Sequence, residues 1–125
     1  MSVLFSIVES PSHPNFAEIY ARLGLREYRF ASIRKAVKGL QTLSPDYVVA
    51  EFFYGFGNNY AGANLGNLDV FLSSLQKYAP EAAVVVMVSL NQRKYADQLA
   101  DKFPIAAILT HPVRTTDMEQ ALSAG

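Results

Sequence analysis

Residues 44–59 contain the clearest structural signal in the chain, and they read Ser-Pro-Asp-Tyr-Val-Val-Ala-Glu-Phe-Phe-Tyr-Gly-Phe-Gly-Asn-Asn. The segment contains a turn, an apolar strand, a carboxylate, and then a loop rich in glycine and asparagine. The run from Tyr47 to Ala50 has almost no polar face, which predicts a strand covered on both sides. Glu51 comes where this strand ends. In open parallel sheets, ligands bind at that end of the central strands, so Glu51 is the first candidate functional residue.

The rest of the chain alternates apolar strands with amphipathic helices. Further strands are predicted at 3–8, 27–31, 82–88 and 105–109. Apolar residues spaced i, i+3, i+4 and i+7 predict the intervening helices. The first helix is expected to start near Pro14, with Ser12 or His13 as its cap, and to stop at Gly24. Thr116 and Glu119 have capping-box spacing for the last helix.

Five strands alternating with five helices predict a single α/β domain over residues 1–125. The expected architecture is a flavodoxin-like three-layer αβα fold with a parallel sheet of order 2-1-3-4-5. The second strand alternates charged and apolar residues, which suits a sheet edge. This order brings the ends of the first and third strands together. We therefore expect one rim to hold five residues, namely Glu9, Ser10, Glu51, Ser89 and His111.

Composition narrows the function classes. Eleven basic residues balance eleven acidic ones, so no global charge favours nucleic acid or a membrane surface. The absence of cysteine excludes disulfides and thiolate chemistry. The longest apolar run, 82–88, is too short to span a bilayer, and the start lacks a basic signal-peptide region. We expect a cytoplasmic protein without a cofactor.

The loop at 54–66 is the longest irregular segment of the sequence. Its glycines match neither GxGxxG nor GxxxxGK[ST], and it contains no lysine, which disfavours nucleotide binding. Its three aromatic residues, Tyr54, Phe56 and Tyr60, fit contact with a partner protein. Packing of these rings over the sheet is the alternative.

Four landmarks make the chain resemble a receiver domain, the phospho-acceptor module of two-component response regulators. Val8-Glu9-Ser10-Pro11 resembles the acidic-pair motif after the first strand. Pro45-Asp46-Tyr47-Val48-Val49-Ala50-Glu51 resembles the lead-in to the acceptor aspartate. Met87-Val88-Ser89 resembles the segment ending in the switch serine or threonine, and Leu109-Thr110-His111-Pro112-Val113 the segment carrying a lysine before proline. The resemblance covers essentially the whole chain.

Departures from the family pattern indicate a degenerate phosphorylation pocket. Glu51 stands in the place of the acceptor aspartate, Ser10 in that of an acid, and His111 in that of the lysine. Phosphotransfer needs a short carboxylate beside Mg²⁺ and a cation that neutralises developing charge. Ile108 falls near the family's switch aromatic and is not aromatic. The resemblance therefore implies an atypical receiver, or pseudo-receiver, that acts as a protein-interaction module without phosphorylation.

Several alternatives stay open from the sequence. Glu51 is either a mimic of the phosphorylated state or a solvated carboxylate at a strand end. The resemblance places a partner or homodimer surface on the fourth helix, fifth strand and fifth helix, with Lys94, Gln98 and Arg114 as candidates. A second function class is a small carboxylate-based enzyme or ligand binder, in which Glu9 and Glu51 hold a divalent metal. A third is one domain of a longer regulator.

Overall fold

Five parallel strands form one sheet between two layers of helices. The computed structural model describes residues 2–7, 16–30, 33–51, 68–90, 93–110 and 113–123. The elements in chain order are β1 Ser2–Ile7, α1 Ala17–Arg22, β2 Leu25–Phe30, α2 Ile33–Gly39, β3 Tyr47–Glu51, α3 Leu68–Tyr78, β4 Ala83–Val88, α4 Arg93–Lys102, β5 Ala107–Thr110 and α5 Thr115–Ser123. The strand order is β2-β1-β3-β4-β5. This confirms the predicted flavodoxin-like sheet and its five helices.

The side chains of the central strands divide the core into two halves. Val48 and Ala50 of β3 belong to a buried cluster with residues of α2, α3 and α4. Val49, between them in sequence, belongs to a second cluster with residues of α1 and α5. Successive side chains of a strand point to opposite faces, so an uninterrupted apolar run fills both clusters. The three-layer arrangement follows directly from that run.

Asp46 fixes where β3 begins. Its Oδ2 accepts a 2.9 Å hydrogen bond from the backbone N–H of Val3, and its own N–H donates to the Val3 carbonyl at 2.8 Å. Its carbonyl in turn accepts from the N–H of Ala83 at 3.0 Å. These three bonds hold the start of β3 between β1 and β4. Because β3 is only five residues long, the same register carries Glu51 to the carboxyl edge of the sheet.

The beginning of α1 differs from the prediction. The helix begins at Ala17, after Phe16, which makes no side-chain capping hydrogen bond. Ser12, His13 and Pro14, where the start and cap were expected, lie outside the described residues. Phe16 is 3% exposed, so its packing into the core holds this end of the helix. The predicted stop is confirmed, since Gly24 has a φ of +77°, a conformation that favours glycine.

Three other local predictions need correction. The capping box at Thr116 and Glu119 is wrong: α5 begins at Thr115, and Asp117 Oδ2 accepts from the N–H of Arg114 at 3.2 Å. Ala100 is also exposed, although the apolar spacing of residues 95, 96, 99, 100 and 103 predicts that it lies on the covered side of α4. One helical step of about 100° beyond the buried Leu99 turns it away from the sheet. The second strand begins earlier and the fifth strand later than predicted.

The length and hydropathy of the helices bear on whether any of them could span a membrane. Within the described ranges, every helix is too short or too polar to cross a membrane.

Candidate functional site

Glu51 is a buried carboxylate at the end of a central strand. It is the last residue of β3, is 9% exposed, and pairs in register with Met87 of β4. Ser6 of β1 is the other buried polar residue in the described part of the chain. Alternation along β3 places the Glu51 side chain on the same face as Val49. Burying a carboxylate is costly unless polar groups surround it, so a glutamate at this position is a candidate functional residue.

The neighbouring strands end at the same edge of the sheet. Met87 pairs with Glu51, and Ser89 comes two residues later, directly after β4. Thr110 is the last residue of β5 and pairs with Val88. Ser89 is exposed and Glu51 is buried. The strand ends place Glu51 and Ser89 at the same edge of the sheet. Their role as residues of one pocket, and a hydrogen bond between them, stay predictions.

Arg93 is a residue of this rim that the sequence interpretation missed. It is the first residue of α4, and its Nη1 donates to Thr110 Oγ1 at 2.9 Å. Its Nε also lies 3.7 Å from Asp97 Oδ1, one turn further along the helix. A guanidinium at the end of β5 gives the carboxyl edge a cation. The sequence offers one signal for it: Arg93 follows shortly after a buried strand, and an acidic residue, Asp97, comes four residues after the arginine.

Six of the predicted site residues cannot be compared with the structure. They lie outside the described residues and are Glu9, Ser10, His111, Tyr54, Phe56 and Tyr60. Their convergence with Glu51, and the contact role of the loop, stay predictions. In the described ranges, no group of three or more histidine, cysteine, aspartate or glutamate side chains could hold a metal ion.

The three candidate partner residues in the described part of the chain face solvent. Lys94 and Gln98 are exposed on α4, and Arg114 is exposed just before α5. Lys94 Nζ lies 5.1 Å from the ring centroid of Tyr95, within the range of a cation–π contact. Between these helices β5 forms one edge of the sheet, and its four residues are half-buried. Helices α4 and α5 both contact β5, so Lys94 and Gln98 lie on one neighbour of this edge strand and Arg114 directly precedes the other.

A buried phenol lies on the opposite side of the sheet from α4. Tyr20 of α1 is 2% exposed, and its hydroxyl has no hydrogen-bond partner in the described part of the chain. Burial raises the pKa of Tyr20 well above its usual value, and the negative charge of Glu27 raises it further, against a smaller opposing effect of Arg29. The i, i+3, i+4 and i+7 spacing of residues 16, 19, 20 and 23 predicts the inward position of Tyr20. The unpartnered hydroxyl was not predictable from it.

Solved structures provide the comparison with known proteins. A response regulator receiver domain protein from Clostridium thermocellum has a TM-score of 0.74 and 14% identity, over 99% of this chain and 93% of that one. The receiver domain of NtrC4 from Aquifex aeolicus has a TM-score of 0.67 and 14% identity, over 98% and 93%. The pilus assembly protein CpaE from Caulobacter crescentus has a TM-score of 0.67 and 18% identity, over 99% and 98%.

The chain has a known α/β fold. Strand order and layering make the chain a flavodoxin-like α/β domain. Within that class, it has the fold of response-regulator receiver domains, matched over nearly its whole length. No protein-family model matches the sequence, and no curated protein sequence matches it. At these low identities, the likeness concerns the fold alone.

Proposed function

We propose that this domain is a pseudo-receiver: a two-component-type signalling module that does not accept a phosphoryl group and works by binding protein. One observation carries the proposal. Glu51 occupies the end of β3, where receiver domains carry their acceptor aspartate, and its carboxylate is one methylene longer. The proposal keeps the single-domain organisation and cytoplasmic location expected from the sequence, with no nucleic-acid contact by this domain.

The chemistry of phosphotransfer explains why this substitution matters. An added methylene displaces the carboxylate oxygens by about 1.5 Å, and a misplacement of about 1 Å can cost about 100-fold in rate. Mg²⁺ requires near-ideal octahedral geometry from its oxygen ligands. Ser10 supplies no carboxylate where the family pattern has an acid, and His111 is shorter than the lysine it replaces. The three substitutions together disfavour both Mg²⁺ binding and phosphoryl transfer.

The surface of α4, β5 and α5 is the proposed place of partner contact. β5 is an edge strand whose side chains are half-buried, so apolar atoms remain accessible beside exposed charges. Lys94, Gln98 and Arg114 border it. The Arg93–Thr110 hydrogen bond joins α4 to β5 and supports a fixed shape for this surface. A second copy of the chain is the simplest partner, and sedimentation equilibrium of wild type and Gln98→Glu would detect it.

An NMR experiment tests the pocket itself. Beryllofluoride with Mg²⁺ imitates an acyl phosphate on a competent acceptor, so amide spectra should stay unchanged when both are added to wild type. The matched control is the variant Ser10→Asp/Glu51→Asp/His111→Lys, in which the family's residues are restored and shifts are expected. Mg²⁺-dependent shifts in the wild type at β3 and β4 would refute the pseudo-receiver proposal.

A further inference from the structure

The layer of helices α2 and α3 carries a second surface, separate from α4, β5 and α5. An open hollow of about 320 Å³ lies between these helices and is lined by Ile33, Arg34, Val37 and Val70. Ile33 and Val37 form an apolar floor, being buried and half-buried. Val70, in the first turn of α3, leaves 53% of its surface exposed. A singly exposed valine is common on protein surfaces, so Val70 matters here only because it lines the same hollow as Ile33 and Val37.

Positive charge is concentrated on α2, the helix that lines this hollow with Arg34. Arg34, Lys35 and Lys38 are all exposed on α2, and no aspartate or glutamate occurs anywhere from residue 28 to 45. Neither Arg34 nor Lys38 has an ion-pair partner among the described residues. Asp69 is the single acidic residue in the sequence of the two helices. The chain has no net charge, so α2 concentrates positive charge locally.

The open, shallow shape of the hollow indicates which class of ligand fits it. Four residues line it and it is open to solvent, whereas sites for small molecules bury most of the ligand surface. Arg34 and Lys38 are four residues apart and therefore follow one another along the same face of α2. Cations spaced along a helix beside a shallow apolar floor match an elongated ligand with several negative charges. An amphipathic segment of a protein has this shape.

We infer that the α2–α3 hollow binds an acidic amphipathic helix of a partner protein. One large apolar side chain of the partner fills the space over Ile33 and Val37, against Val70. Carboxylates on either side of it pair with Arg34 and Lys38. Charge complementarity selects a negatively charged partner and sets its orientation, and the apolar contact supplies affinity. Binding at this hollow does not depend on whether Glu51 can accept a phosphoryl group.

A fluorescent synthetic peptide tests the inference. It is a helix with leucines spaced i, i+3, i+4 and i+7 and glutamates elsewhere, and the matched peptide has lysines in place of the glutamates. Fluorescence anisotropy should show saturable binding of the acidic peptide, weakened by salt, and no binding of the basic one. Arg34→Glu/Lys38→Glu should weaken binding by about tenfold or more, and Val70→Ser by about fivefold. Lys77→Glu, at the far end of α3, should change it less than about twofold.

Amide spectra locate the contact and define the contradicting results. The acidic peptide should shift signals of α2 and the first turn of α3. Failure of the acidic peptide to bind, equal binding of the basic peptide, or shifts confined to α4, β5 and α5 would overturn the inference. Self-association of the chain that is lost in Val70→Ser would also overturn it, because the hollow would then be occupied by a second copy. Each readout is independent of the beryllofluoride test, so either proposal can fail alone.

Discussion

Arg93 Nη1 donates a 2.9 Å hydrogen bond to Thr110 Oγ1, which joins the first residue of α4 to the last residue of β5. The bond spans 17 residues of sequence and lies at the carboxyl edge of the sheet, where β3 ends in Glu51. We predict a coupling energy of about 0.5–1 kcal/mol in a double-mutant cycle of Arg93→Ala and Thr110→Val. Urea denaturation measures the four stabilities.

Thr110→Ser is the matched control for this pair, because it removes a methyl group and keeps the hydroxyl acceptor. It should retain the coupling to Arg93 that Thr110→Val abolishes. The Arg93–Asp97 contact is left intact in both Thr110 variants, so it does not enter the coupling. Additive effects of Arg93→Ala and Thr110→Val would show that the hydrogen bond contributes nothing to holding α4 against β5.

The buried phenol of Tyr20 predicts a gain in stability when its hydroxyl is removed. The hydroxyl is desolvated without a partner in the described part of the chain, and an unsatisfied buried polar group costs about 1–3 kcal/mol. Tyr20→Phe should therefore raise the free energy of unfolding at pH 7 by about 1 kcal/mol. The surrounding packing is conserved, because the ring stays. A loss of stability in this variant would show that the hydroxyl has a partner.

Tyr20 also predicts an alkaline loss of stability. Its folded-state pKa is raised above the ordinary value of 10.0, mainly by burial, so above that pH the unfolded chain releases a proton that the folded chain keeps. Stability is fully present below about pH 10 and falls as the pH rises, by up to about 1.4 kcal/mol per pH unit. Tyr20→Phe should show a shallower decline between pH 9 and 11. Tyr78→Phe, whose parent side chain is 40% exposed, should decline as the wild type does.

Replacing Gly24 should lower the stability of the domain for a purely conformational reason. Its φ is +77°, and a Cβ added there would meet no atom within 4 Å. Gly24→Ala should destabilise the domain by about 1–2 kcal/mol, because the left-handed conformation is strained for alanine. Gly24→Asn should cost less, since asparagine tolerates this conformation better. Equal costs for both variants, measured by thermal unfolding, would mean that packing and not φ determines the effect.

Restoring the residues of the receiver-domain pattern should restore Mg²⁺ binding, which phosphotransfer requires. In Ser10→Asp/Glu51→Asp/His111→Lys, each substitution supplies one of the groups that phosphotransfer needs: a metal-binding acid, a shorter acceptor and a cation. We expect Mg²⁺ binding by calorimetry in this variant and none in wild type. Glu51→Asp alone should not bind Mg²⁺, because the other two groups are still absent. Tight Mg²⁺ binding by wild type would instead favour the carboxylate-based enzyme or ligand-binding class.

The fold was predictable because one run of residues carried most of the information. The apolar stretch ending in Glu51 predicted a buried central strand, and the alternation of elements predicted the sheet order. Local helix signals failed at Pro14 and Thr116, because the core contact of Phe16 and the side chain of Asp117 determine those helix ends. The Arg93–Thr110 bond and the α2–α3 hollow depend on the spacing of elements distant in sequence. No local pattern encodes that spacing.

We propose that Glu51, at the end of β3, does not accept a phosphoryl group. The most direct measurement is intact-mass analysis of the wild type after incubation with acetyl phosphate and Mg²⁺, beside the variant Ser10→Asp/Glu51→Asp/His111→Lys. We predict an unchanged mass for the wild type and a gain of one phosphoryl group for the variant. A Mg²⁺-dependent gain of one phosphoryl group by the wild type would contradict the account.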